Sequence, residues 1–197
     1  MATLSTTANS PIDICSRALI LIGADPITSF DDGNTEALVA SNMYEDVARA
    51  ALVNSRWRFA TNQALLNLLT ATPTGRYNIA YQLPSDLLML HAVTVNDLAI
   101  EYQIYGNKVY TDGDVNDVAV ADYTYRASEV DWPSYFTIAV EYSLAVVFAT
   151  SIARDSTLGG LMQTQARESM AKARSLDSQQ QTSRKLTTSR FIAERRS

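Results

Sequence analysis

The sequence predicts an α+β protein, mainly helical, with a β-rich insertion between two pairs of helices. Three patterns carry that reading. Apolar residues recur at helical spacing near both ends of the 197-residue chain, as in Ile12, Cys15, Leu19 and Ile22, and again in Phe136, Val140, Leu144 and Val147. From Tyr77 the pattern turns to period two and is rich in β-branched and aromatic residues. Hydrophobic residues make up 47% of the chain, enough to bury a core.

The elements follow in order. Residues 1–9 are small and polar and read as a disordered lead. "SPIDICSRALILIGA" then starts a helix, with Ser10 as cap, Pro11 at the first position and Asp13 in the first turn. Gly23 stops it. A second helix is expected from Asn34–Thr35 to about Arg56, with Leu38, Met43, Val47, Ala51 and Leu52 inward and Ala40, Ala48 and Ala50 permitting close approach. "WRFATNQALLNLL" fits helix and strand equally. Strands are expected near 77–82, 90–96, 99–105, 108–111 and 118–126, and Gly106-Asn107 marks a two-residue hairpin. Pro84 interrupts "YNIAYQLPSDLLMLHAV" and predicts a corner where a strand leaves the sheet.

Helical texture returns at Asp131, a candidate cap, with Pro133 just inside. The stripe of Phe136, Val140, Leu144, Val147 and Phe148 is wide enough to be buried on more than one side. Gly159-Gly160 is expected to break or bend the chain. A last helix follows, from about Leu161 to Gln179, with Leu161, Ala166, Met170, Ala173 and Leu176 inward. The expected boundaries are helices in 10–58 and 131–183, a β-rich insertion at 59–130, and a tail at 184–197.

Charge is unevenly spread. The formal net charge is −5. Residues 184–197 hold five basic groups and one acid, so the remainder, with 11 basic and 20 acidic groups, stands at −9. A basic block on an acidic body reads as an interaction tail or as a solvated terminus. No apolar run is expected to span a membrane; the closest, Thr137–Ala153, is interrupted by Glu141 and two serines. Residues 1–10 lack the pattern of a secretory leader. Cys15 is the single cysteine, so no internal disulfide is available, which fits a reducing compartment.

Residue types and their spacing offer little for chemistry. One histidine and one cysteine, 76 positions apart, do not make a zinc site. His91 within "LMLHAVTV" reads as a packed sheet residue. "DGDVNDVAVADY" starts like a calcium loop at Asp112, Asp114 and Asn116, but Asp117 stands where glycine is needed and Tyr123 where glutamate is needed. It reads as a solvated turn. No serine has nucleophile-elbow glycines, and "LIGAD" and "LGGL" lack the lysine of a phosphate loop. Asp31-Asp32 lies in a polar loop. No catalytic residue, metal or cofactor is expected. Seven tyrosines crowd the β-rich region (77, 81, 102, 105, 110, 123 and 125), a pattern that suits both sheets and interfaces.

The chain also resembles a known family. "SRWRFATNQALL", "YQLPSDLLMLHAV", "YTYRASEVDWPSYFTIAVEYSLAVVFATSIARDSTL" and "TQARESMAKARSLDSQQQ" are, in that order and spacing, similar to the tail tubular protein A family of tailed phages. The resemblance spans residues 11–183. It implies a head-to-tail adaptor without enzymatic activity. It implies a four-helix bundle from both chain ends with a small antiparallel β domain between its second and third helices, followed by an extended tail. It implies a ring, usually of twelve copies, bound to the portal protein on one face and to a nozzle or other tail protein on the other, with double-stranded DNA passing through without specific binding. It places the protein at the head-tail junction of the virion, and in the host cytoplasm during assembly.

On that reading Phe136, Val140, Leu144 and Val147 serve core or subunit packing, and Pro84 sets how the β domain leaves the bundle. Arg190, Phe191, Ile192, Arg195 and Arg196 form a portal-docking arm, with Phe191 as apolar anchor and arginines pairing acids. The competing reading is a nucleic-acid-binding or packaging accessory protein that uses the basic tail, and an acidic body argues against a broad DNA-binding face.

Overall fold

Two cores organise the molecule, one among four helices and one between two β sheets. The computed structural model describes residues 8–71, 73 and 75–180. The expected lead over 1–9, apart from its last two residues, and the tail at 184–197 lie outside these.

Helix α1 is Pro11–Leu21 and α2 is Thr35–Val53; α3 is Ser134–Ser151 and α4 is Ser156–Gln179. The first start signal reads as expected: Ser10 Oγ accepts from the Asp13 amide at 3.1 Å. Gly23 has φ +75°, and the Ala24 amide closes on the Leu19 carbonyl at 3.1 Å, ending α1. Asn34 caps α2 through the Ala37 amide at 2.8 Å.

The inward face of α2 meets expectation at Ala51 and Leu52, at Val47 packed on its margin and at the close-packing Ala40 and Ala48, and departs from it at Leu38. It consists of Ala37, Ala40, Tyr44, Ala48, Ala51 and Leu52, while Leu38 is 63% exposed. The four alanines let the backbone approach its neighbours, with Tyr44 and Leu52 filling the space beside them. Ala50, expected to ease close packing, is exposed.

Helix α3 lies at the centre of the helical layer. Phe136, Ala139, Val140, Leu144, Ala145, Phe148 and Ala149 are buried on it, and α1, α2 and α4 all pack against it. Contrary to the sequence expectation, α3 is long and apolar enough to span a membrane by length and composition; half of that window is buried inside this molecule, as in a core helix. Asp131 does not cap it. Asp131 closes a short 3-10 turn, Glu129–Asp131, and the capping position is Pro133, whose carbonyl accepts the Phe136 amide at 2.9 Å.

Gly159-Gly160 does not break the chain. Helix α4 starts at Ser156, capped by Asp155, and runs through both glycines. Gly159 is buried, and a Cβ there would lie 3.1 Å from the Thr150 methyl of α3. The glycine therefore marks a close helix approach at the start of a helix. Inward positions are Met162, Met170, Ala173 and Asp177; Leu161 and Leu176 point to solvent.

The eight strands are β1 Thr61–Leu65, β2 Asn67–Leu68, β3 Ile79–Gln82, β4 Leu87–Val95, β5 Leu98–Ala99, β6 Gln103–Tyr105, β7 Lys108–Thr111 and β8 Ala119–Tyr125. They form two antiparallel sheets, ordered β1-β8-β4-β5 and β2-β3-β7-β6. Strand β1 resolves the ambiguous stretch after Trp57. The expected strand at 99–105 is divided: its start pairs in the first sheet and its end in the second. The segment 61–68 divides in the same way. Each sheet thus takes one edge from each of these two segments, and both edges are short, which limits unwanted strand pairing.

The Gly106-Asn107 hairpin is present, with Tyr105 opposite Lys108 and Gly106 at φ +62°. A second two-residue turn, Asn96-Asp97 at φ +50° and +63°, joins β4 to β5.

Candidate assembly surfaces and joints

Strand β8 hands the chain back to the helices through Arg126. Its Nε donates to Glu45 Oε1 at 3.1 Å and its Nη2 to Glu45 Oε2 at 3.0 Å, a two-pronged grip on α2. The same guanidinium binds Glu129 and lies 5.4 Å from the Trp132 ring centre. Tyr44 donates its hydroxyl to Glu129 at 2.8 Å. The hydrogen bond from Arg126 holds the Glu45 carboxyl below its ordinary range despite partial burial. Burial pushes the Glu129 carboxyl up, and Arg126 and Tyr44 outweigh it, so the net direction is down.

A second joint ties α4 to the start of the β region. Asp177, buried on α4, accepts the Arg58 amide at 3.1 Å on Oδ2 and the Tyr135 hydroxyl at 2.9 Å on Oδ1. Tyr135 is pushed up to about 12, first by burial and then by this bond. Above it, Trp57 is fully buried, donates Nε1–H to the Ala51 carbonyl at 2.9 Å and meets Phe136 edge-on.

Glu141 is a second buried acid, on α3. Arg17 of α1 lies 3.5 Å from its Oε1, which accepts no hydrogen bond among the described residues. Burial raises its pKa against the pull of Arg17.

The residues singled out from sequence fall as follows. Phe136, Val140 and Leu144 are fully buried in the subunit's own core, and Val147 is half-buried at its margin. Pro84 sits between β3 and β4, so its corner joins the two sheets and not the β region to the helices. Arg190, Phe191, Ile192, Arg195 and Arg196 lie outside the described residues. His91 Nε2 lies 2.8 Å from Thr124 Oγ1, and burial lowers its pKa. Cys15 is buried among apolar groups, which pushes its thiol up to about 12. Asp114 and Asp117 cap their own turn through the Asn116 and Asp114 amides, and no cluster able to hold a metal occurs among the described residues.

Sequence reasoning missed both polar joints. Arg126 and Glu129, three apart, were a visible pairing. Glu45 is 81 positions from Arg126, and Asp177 is 119 from Arg58, so no local spacing announces either.

What these residues provide is a first sheet tied to the helical layer by charged joints and a second sheet packed on the first through the β core, with apolar side chains such as Leu38, Leu98 and Val130 left outside. That is the build of a structural protein that works through its surfaces. The chain belongs to the tail tubular protein family: the family model described as "Tail tubular protein" matches residues 12–184. It is accordingly a structural component of the phage tail region that assembles with other copies or tail components. No curated protein matches the chain.

Proposed function

We propose that this chain is the head-to-tail adaptor of its phage. Copies form a ring, twelve in number, under the portal protein; the ring joins capsid to tail and lets DNA pass. The family match over residues 12–184 is the observation that carries the reading. The charge pattern supports it: a lumen lined by a body of net charge −9 would repel phosphate and keep DNA sliding during ejection.

In this reading the helices of 10–58 and 131–183 form one unit as a four-helix bundle, the 59–130 insertion forms another, and the basic tail docks on the portal. Arg190, Arg195 and Arg196 pair acids in a groove between portal subunits while Phe191 and Ile192 fill it. Imaging the neck of particles with this chain tagged tests the placement; a label anywhere other than between portal and tail rejects it. Deleting residues 186–197 and measuring binding to portal rings tests the arm, and unchanged binding removes it from the mechanism.

A further inference from the structure

A polar cleft of about 690 Å³ opens where the helical layer meets the first sheet. Arg56, Arg58 and Arg174 line it, with Asn62 and Asp122. These three arginines are poorly neutralised. Arg56 reaches Asp122 only at 3.8 Å, and the Arg58 guanidinium finds only the Gln180 carbonyl, at 3.4 Å. Arg174 makes no hydrogen bond or ion pair among the described residues. Asp177, the other acid of the cleft, turns its oxygens to the Tyr135 hydroxyl and the Arg58 amide, so three arginines face two carboxylates and the cleft keeps a net charge of +1. Within a body of net charge −9, this local excess of positive charge is an acceptor for acid.

The chain carries a matching group. The loop 112–118 between β7 and β8 presents Asp112 and Asp114 to solvent beside Asp117, each using its Oδ1 within the subunit, for Asn78 and Asn116, and keeping its charge exposed, with Val115 64% exposed among them. It lies at the other end of the β1–β8 ladder from the cleft. Thr61 to Gln63, opposite Thr124 to Asp122, border the cleft; Leu65, opposite Val120, leads towards the loop. An extended strand separates the two, so a subunit cannot fill its own cleft. The chain's own tail is excluded by sign, since residues 184–197 carry +4.

We propose that the Arg56–Arg58–Arg174 cleft receives the 112–118 loop of a neighbouring copy, as the lateral contact between subunits. Aspartates pair the arginines, and Val115 is desolvated between them. Two different patches meeting head to tail repeat from copy to copy and close into a ring. This rests on the ring reading above and specifies its interface.

Cysteine cross-linking tests it. Asn62 is exposed in the cleft, Val115 is exposed in the loop, and Cys15 is buried. Oxidation of the Asn62→Cys, Val115→Cys double variant at high protein concentration is expected to give a ladder of covalent multimers beyond the dimer. Either single variant stops at a dimer. Adding Arg56→Glu with Arg174→Glu cuts the ladder by about tenfold, and adding Asp112→Lys with Asp114→Lys to that background restores it.

A double variant that oxidises without multimers, in a chain that still binds portal rings, overturns this contact and leaves the adaptor reading standing. A ladder in a chain that ignores portal rings does the reverse. Duplex DNA binding lost on the same arginine reversal, with no ladder, would assign the cleft to phosphate and overturn the contact.

Discussion

Arg126 grips Glu45 with two nitrogens, at 3.1 and 3.0 Å, across 81 positions of sequence. That grip is where the last strand of the β region is fastened to the second helix. With Glu129 and Tyr44 it forms one charged network in which each member satisfies another, so the cost of desolvation is met only while all are present.

Arg126→Ala removes the shared partner. Glu129, only 12% exposed at its side chain, would be left with Tyr44 alone. The expected loss is about 3 kcal/mol, the low end for a broken buried pair, because Glu45 keeps access to water. Urea unfolding at pH 7 measures it. A loss under about 1 kcal/mol would mean the network is loose in solution.

Acid should act on these groups in opposite directions. Glu45 and Glu129 have depressed values when folded, so their stabilisation is present above the ordinary value of 4.5 and is lost as pH falls through the lowered ones. Glu141 has a raised value, so its contribution is full below 4.5 and is lost as pH rises through the raised one. Glu141→Gln should therefore stabilise the protein at pH 7 by of the order of 1 kcal/mol, with the gain vanishing towards pH 4. Thermal melts of both proteins across that range decide it, and a pH-independent difference would contradict the argument.

The two glycines of α4 should respond differently to alanine. Nothing lies within 4 Å of a Cβ at Gly160, so Gly160→Ala should gain about 0.7 kcal/mol from helix propensity. At Gly159 the Thr150 methyl must give way at 3.1 Å, which offsets that gain, so the alanine variant should be near neutral and valine clearly destabilising. Chemical denaturation of the three variants tests the ordering.

Cys15 should report unfolding. Its thiol is fully buried and pushed up to about 12, so it is neither exposed nor ionised at neutral pH. An aromatic disulfide reagent is expected to label it only as fast as α1 opens, and the rate should rise in step with the urea transition. Prompt labelling in native buffer would show that α1 detaches locally.

Much of the architecture was legible because it is written in local signals. Ser10, Asn34, Gly23 and the Gly106-Asn107 turn act on backbone groups three or four residues away, and each does in the structure what its spacing predicts. The stripe on α3 was legible for a similar reason: a helix apolar on several sides has few options other than the centre of a core.

What failed needed knowledge of neighbours. Leu38, Leu161 and Leu176 were assigned inward because they are apolar, yet alanines, Tyr44 and Asp177 hold those faces instead. Hydrophobicity ranks candidates for burial, but which side of each helix meets its neighbours selects among them.

The sequence by itself determined the alternation of helical and β-rich segments, the starts of the first two helices, the hairpin and the contrast between an acidic body and a basic end, since each depends on residues close in the chain. Only the tertiary structure decided which sheet each half of 61–68 and 98–105 joins, that Arg126 meets Glu45 and that Asp177 holds Arg58. Those pairings depend on packing across 81 and 119 positions, and no energy between such distant residues exists until the chain has folded.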